Sequence, residues 1–475
     1  MSTARKIAYN VGFSAFSKVL STVLALVSIG LITRYLGPEG FGEYTTTLAF
    51  FALFMAIADF GLNAASTREI SRKKADEAFI MGNVFTLRLI ISLSVILIVP
   101  VFVFFLPYSS YHKIAIILSL IAFFFSSSYT VLNGIFQKNL SMDRVALTEL
   151  IGKCIQVAII FIAIKMNMGL LAIMSSLVVF MAFNFFVLFF WSRKFITFSF
   201  RFDISFWKVF LRRSFPLGIS VLITFFYFKF DAILLSFIKG PEAVGIYGAA
   251  YKIIENVVFF PAMIIGLVLP LLAHKIFDDK KGFQRIADAT AKTFFLIVIP
   301  MLIGGFMLAE QIILLIGGAA FIESVPVLQI LLFALGCMFF GHLFNAILIV
   351  ANKEMFLMKF LFFCALGNLA LNVILIPKYS FLGAAMTSVI TEFCVTLLTG
   401  WAVKRKIGYF LATKRIERIL ISGGFMALAI FLCAEHFHFF VTLGIAMFVY
   451  GVSIFLTRAV TREELQQFFP NRFPV

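Results

Sequence analysis

Among the charged residues of this 475-residue chain that stand inside long apolar runs are Lys18, Arg88, Lys153 and Lys252, and Asp59, Asp231, Glu255 and Glu392. A charge at the centre of a bilayer costs about 2.5–3.5 kcal/mol or more, so each needs water, a counter-charge or a ligand. Fixed cations along a transmembrane path suit an anion. Arg offers a phosphate paired planar donors, whereas Lys offers a point charge. Buried carboxylates suit the exchange of a proton or a sodium ion. Lys18, Arg88 and Lys153 lie about 8–10 residues from the basic ends of three runs in the first half, roughly 12–15 Å deep at the rise of an α-helix. The expected substrate-binding set is therefore Lys18, Arg88, Lys153 and Lys252, and the expected coupling set Asp59, Asp231, Glu255 and Glu392. Structural readings compete: a bridge from Arg88 to Asp59, and intrahelical pairs Glu149–Lys153 and Lys252–Glu255.

The elements that must position these charges are membrane helices. Hydrophobic residues make up 62% of the chain and charged residues 13%, with a mean hydropathy of +1.05, which excludes an ordinary soluble domain. Runs of about 20 apolar residues recur from end to end, each long enough to span a bilayer, and fourteen spans are expected. The first carries Asn10, Ser14, Ser17, Ser21 and Ser28 on one face beside Lys18, and the seventh carries Ser220, Thr224, Tyr227 and Asp231 at helical spacing. Such stripes either line a wet cavity or bind helices together. The five cysteines lie singly within spans without a CxxC, so neither disulfides nor a metal site is expected. No DxD, P-loop, Ser-His-Asp set or His-Glu-x-x-His occurs; an enzyme is not expected, nor a cofactor.

The chain repeats itself. Gly37-Pro38-Glu39-Gly40-Phe41-Gly42-Glu43-Tyr44 returns as Gly240-Pro241-Glu242-Ala243-Val244-Gly245-Ile246-Tyr247, and Ala172, Met174 and Ser176 are echoed by Ala384, Met386 and Ser388. Each Gly-Pro-Glu reads as the tight turn of a membrane hairpin. Six spans separate the copies, which implies a parallel repeat. The expected organisation is a six-helix lobe over 1–200, a second over 201–404, and two additional helices with a tail over 405–475. Of the 40 Lys and Arg, 30 fall in alternate loops beginning with the N-terminal tail. Only Arg34, Lys113, Lys165, Lys239 and Lys378 occupy the intervening loops. The positive-inside rule then places both termini in the cytoplasm. Net charge of +17 thus reflects topology and anionic lipid, not nucleic acid.

Leu31-Ile32-Thr33-Arg34-Tyr35-Leu36 followed by the first Gly-Pro-Glu copy resembles the N-terminal signature of Wzx-type polysaccharide flippases. These form the polysaccharide branch of the multidrug/oligosaccharidyl-lipid/polysaccharide exporter superfamily. The resemblance runs on through Asp59-Phe60-Gly61-Leu62-Asn63 and Arg68-Glu69-Ile70-Ser71-Arg72. It implies an all-α polytopic protein of a bacterial cytoplasmic (inner) membrane that moves undecaprenyl-pyrophosphate-linked oligosaccharide, for O-antigen, capsule or a related glycan, from the inner to the outer leaflet. Membrane lipids, a polysaccharide polymerase and a chain-length regulator are the partners implied. The competing expectation is a cation-coupled multidrug-type exporter of the same superfamily. The lipid II flippase also has two extra helices, which form part of a groove for the lipid tail, and by analogy the last two spans here are candidates for that role.

Overall fold

A computed structural model describes residues 3–72, 75–411 and 415–460, the side chains of 3–11 and 15 excepted. Asn10 of the first polar face therefore lies outside the described side chains. Among the described residues there are helices and no strand. In chain order they are α1 (Thr3–Asp59), α2 (Leu62–Ile70), α3 (Glu77–Phe104), α4 (Ser110–Lys138), α5 (Met142–Lys165), α6 (Gly169–Ser192), α7 (Ile204–Phe228), α8 (Phe230–Lys239) and α9 (Pro241–Val257). There follow α10 (Phe259–Lys275), α11 (Lys280–Met307), α12 (Ala309–Ile316), α13 (Ser324–Val350), α14 (Glu354–Ile407), α15 (Ile416–Cys433) and α16 (Phe439–Leu456). Twelve helices among the described residues are long and apolar enough to cross a membrane. Two of them, α1 and α14, contain one non-helical residue, Gly37 and Ser380 respectively.

The turn expected at Gly37–Tyr44 is shorter than its sequence suggests. Only Gly37 leaves the helix, at φ 66°, and Pro38 already begins the next helical stretch. Gly240 does the same at φ 86°, with Pro241 opening α9. Glycine supplies the left-handed step, and proline fits a first helical turn because its missing N–H has no intrahelical partner there. Helix α7 ends at Phe228 and α8 starts at Phe230, with Lys229 outside both, so the stripe from Ser220 to Asp231 is interrupted. Ser220 and Thr224 donate to the backbone carbonyls of Pro216 and Ser220.

The chain divides into two compact units: residues 1–249 with 369–384, and residues 250–368 with 385–475. In the first unit a core of Leu62, Met81, Val84, Phe85, Leu132 and Phe136 joins α2, α3 and α4 to the start of α7. The connection between α6 and α7 is laced along α3. Arg201 N–H donates to Thr86 Oγ1 (3.2 Å), Asp203 N–H to Asn83 Oδ1 (3.0 Å) and Trp207 Nε1 to the Asn83 carbonyl (3.1 Å). Asp203 then caps α7 by accepting from Phe206 N–H. In the second unit α15 and α16 pack on α11 and α12 through Ile299, Leu308, Met426, Ile430 and Ala446.

The two Gly-Pro-Glu copies meet inside the first unit. A β-carbon added at Gly42 would overlap the carbonyl oxygen of Pro241, and one added at Gly245 would overlap that of Pro38. The contact is reciprocal, each glycine seated on the other copy's proline carbonyl. It continues one turn on, where Gly248 faces Thr45. Small residues permit this backbone approach in membrane helices, where packing and not water exclusion holds the pair.

Candidate functional site

The most completely surrounded of the charged residues is Arg88. Its side chain is 1% exposed, and four hydrogen bonds fix the guanidinium. Nε donates to the Ser127 carbonyl (3.1 Å) and Nη1 to the Ala58 carbonyl (2.9 Å). Nη2 donates to Asp59 Oδ1 and to Thr130 Oγ1, each at 2.8 Å. Arg88 thereby binds the end of α1 to α4 from its place on α3. Asp59, 20% exposed, is its ion-pair partner.

Lys18 is exposed on α1, one position from the buried Ser17. The hydroxyls of Ser14 and Ser17 are buried with no hydrogen-bond partner. Lys153 on α5 donates to Gln156 Oε1 (2.9 Å) and lies 5.7 Å from the centroid of Phe180 on α6. Glu149, four residues earlier, accepts instead from the Tyr129 hydroxyl on α4. The Oδ1 atoms of Asn133 and Asn184 are also buried without a partner. Lys18, Arg88 and Lys153 all belong to the first unit.

Lys252 belongs to the second unit and pairs with Glu255 at 2.8 Å, one turn along α9. Asp231, 5% exposed, stands in the first turn of α8. It accepts from the Ala232 N–H (2.7 Å) and from the hydroxyl of Tyr247, the last residue of the second motif copy. A carboxylate at a helix N-terminus is stabilised by the helix dipole. Glu392 is buried in α14 within electrostatic reach of Cys337 and Cys364. Among the described residues no cluster of His, Cys, Asp and Glu could hold a metal ion.

Sequence reasoning missed three partners: Tyr129 for Glu149, Tyr247 for Asp231, and Asn83 for the α6–α7 connection. It also gave no hint of an apolar cavity in the second unit, of about 440 Å³, walled by Pro300, Met301, Met426, Leu443, Met447 and Tyr450. That cavity lies where α15 and α16 meet α11 and α12.

Buried charges, glycine-mediated helix contacts and many spans describe a polytopic membrane transporter. The family profile described as polysaccharide biosynthesis protein matches residues 7–274, and the chain belongs to that family. A protein named as an O-antigen transporter in Shigella flexneri is 26% identical over 416 residues, covering 83% of this chain and 96% of that one. The capsular polysaccharide biosynthesis protein CapF of Staphylococcus aureus is 25% identical, covering 83% of this chain and 99% of its own. Among solved structures, the lipid II flippase MurJ in an inward closed conformation superposes with a TM-score of 0.77 at 18% identity, over 94% of this chain and 98% of that one. The fold is thus shared with that flippase, and the family is one of transporters rather than enzymes.

Proposed function

We propose that this protein is a flippase that carries an undecaprenyl-pyrophosphate-linked oligosaccharide from the inner to the outer leaflet of a bacterial cytoplasmic membrane. The observation that carries the reading is that Lys18, Arg88 and Lys153 all lie on spanning helices of one compact unit in a polysaccharide-family transporter. Fixed cations on spanning helices suit a path for an anionic pyrophosphate. The apolar cavity bounded by Met426 and Leu443 suits part of a polyprenyl chain. Lys252, paired with Glu255 inside the second unit, is a further proposed substrate contact in its own right. The chain crosses fourteen times in this reading, α1 and α14 each crossing twice, with lobes over 1–200 and 201–404, a terminal pair over 405–475, and both termini cytoplasmic. A polymerase and a chain-length regulator receive the product.

Outward movement of negative charge is favourable in an inside-negative membrane by about 2.3 kcal/mol per charge per 100 mV. Asp59, Asp231, Glu255 and Glu392 are the groups that would exchange a proton or sodium ion. The buried acids Asp231 and Glu392 also favour the second reading, a cation-coupled small-molecule exporter. Deleting the gene separates the two. Accumulation of a lipid-linked glycan on the cytoplasmic side, reversed by the wild-type gene but not by Lys18→Ala, is the expected result. Unchanged glycan with a new sensitivity to cationic drugs would replace the flippase by the exporter.

A further inference from the structure

Asp59 is the last residue of α1, so its carboxylate sits at the negative end of the helix dipole, an unfavourable place for an anion. Arg88 offsets this twice, binding both the Ala58 carbonyl and the Asp59 carboxylate. The next two residues leave the helix by left-handed steps, Phe60 at φ 37° and Gly61 at φ 76°. A non-glycine residue holds such a conformation only where its surroundings impose it. Here the turn is wedged on α7. A β-carbon at Gly61 would lie 2.6 Å from Gly218 N, one at Gly218 would lie 2.7 Å from the Phe60 carbonyl oxygen, and the Phe60 and Phe215 rings meet edge-on at 5.6 Å. Ser214, on the same side of α7, is fully buried.

We infer that the Arg88–Asp59 ion pair is a latch opened by a pyrophosphate headgroup, whose arrival takes Nη2 from Asp59 and frees α7 from the Phe60–Gly61 turn. The identity of the headgroup rests on the flippase reading; the latch geometry does not. Nε and Nη1 hold backbone carbonyls on two different helices, so the guanidinium stays in place when Nη2 changes partner. Asp59 keeps 20% of its side chain exposed against 1% for Arg88, and is the member of the pair able to turn away to water. A pyrophosphate presents several anionic oxygens in the planar pairs that Arg binds best, and outcompetes one carboxylate. Asp59, left charged at the end of its helix without its cation, destabilises the last turn of α1 and with it the wedge on Gly218. Headgroup binding and opening are thereby the same event, and an empty carrier stays shut. Arg88 and Asp59 act here as positioning residues for α7.

The test uses the full-length protein in detergent, with Cys154, Cys337, Cys364, Cys394 and Cys433 replaced by alanine and Ser214→Cys as reporter. The reaction rate of that thiol with a maleimide is measured with farnesyl pyrophosphate and with farnesol, which share the chain but not the charge. The pyrophosphate should accelerate labelling about tenfold over farnesol, an ordinary size for coupling between two events. Asp59→Asn, which keeps the shape and removes the charge that drives the opening, should label slowly with either lipid. Equal rates with the two lipids in the parent overturn the proposal, whatever Asp59→Asn does. Should the reporter variant fail to fold, hydrogen exchange of residues 58–61 and 214–218 in the unmodified chain reads the same opening, and no acceleration by the pyrophosphate is equally fatal. The flippase reading fails separately, if a deletion strain exports its glycan normally while the pyrophosphate still opens the latch.

Discussion

The helical stretch from Pro38 to Asp59 meets the α7–α9 segment at both of its ends, and the two meetings are built on different physics. At Gly42 backbone lies on backbone, twice over, because Gly245 returns the contact on Pro38. No charge takes part in that glycine-on-carbonyl contact. At Gly61 a similar glycine contact with Gly218 is backed by an ion pair buried on α3. Close packing falls away once surfaces part by a fraction of an ångström, and it responds to nothing in solution. An ion pair responds to any competing charge. One end of this stretch is therefore fixed by shape, and the other is placed where chemistry can release it.

The largest effect should come from Arg88→Ala. Breaking a buried pair leaves an uncompensated charge and costs about 3–5 kcal/mol, and here two carbonyls also lose their donor. The purified variant should melt well below the parent, and Asp59→Asn combined with Arg88→Ala should recover part of the loss. If Arg88→Ala alone melts like the parent, the Gly61 end is held by packing alone and the contrast collapses.

Next in size is Gly42→Ala. One added methyl group has no free volume between two backbones, and overpacking costs about 1–3 kcal/mol. Gly245→Ala should cost as much, since the contact is reciprocal, and the double variant should cost less than the sum because the helices part only once. Additive losses in a double-mutant cycle would mean that the two glycines act independently and that the repeat contact is not one seam.

The repeat was legible because backbone geometry demanded particular residues: a left-handed step calls for glycine, a first turn tolerates proline, and a backbone contact admits no side chain. Arg88 was legible as a charge that needed compensation, with Asp59 as one candidate, because an acid and a base inside apolar runs have few other partners. What stayed hidden were pairings between helices. Glu149 has Lys153 one turn away in its own helix, yet it takes a proton donor from Tyr129 on α4, which no local spacing reveals. Asn83 looks like any polar residue near a helix start until the α6–α7 connection returns, 120 residues later, to donate to it. The apolar cavity was invisible for a related reason: a void is a property of four helices together, and each reads alone as an ordinary span.

The smallest effect belongs to a side-chain bond that supplements the Gly42 seam. Tyr108, in the connection between α3 and α4, lies edge-on to Phe50 with ring centroids 6.1 Å apart and stacks on Phe237 at 5.5 Å. Its hydroxyl accepts from Ser236 Oγ on α8 at 2.9 Å. The phenol is pushed up to about 12, because burial outweighs the Ser236 donation that favours the phenolate. A group whose value is raised on folding contributes stability that is complete below its unfolded value, near 10 for tyrosine, and that disappears as pH climbs through the folded value. Alkaline unfolding should therefore include this residue between about pH 10 and 12. Ser236→Ala should cost about 0.5–1.5 kcal/mol, the net worth of one hydrogen bond. It should also move the phenol further up, since the lost donor is the group that favours the phenolate. The difference in tyrosinate absorbance between the variant and its parent, with Tyr108→Phe as the blank, reads that direction. A downward shift would mean that the serine holds Tyr108 inside the fold and that without it the ring swings into water, in which case the side chains at this end resist parting as much as the glycines do.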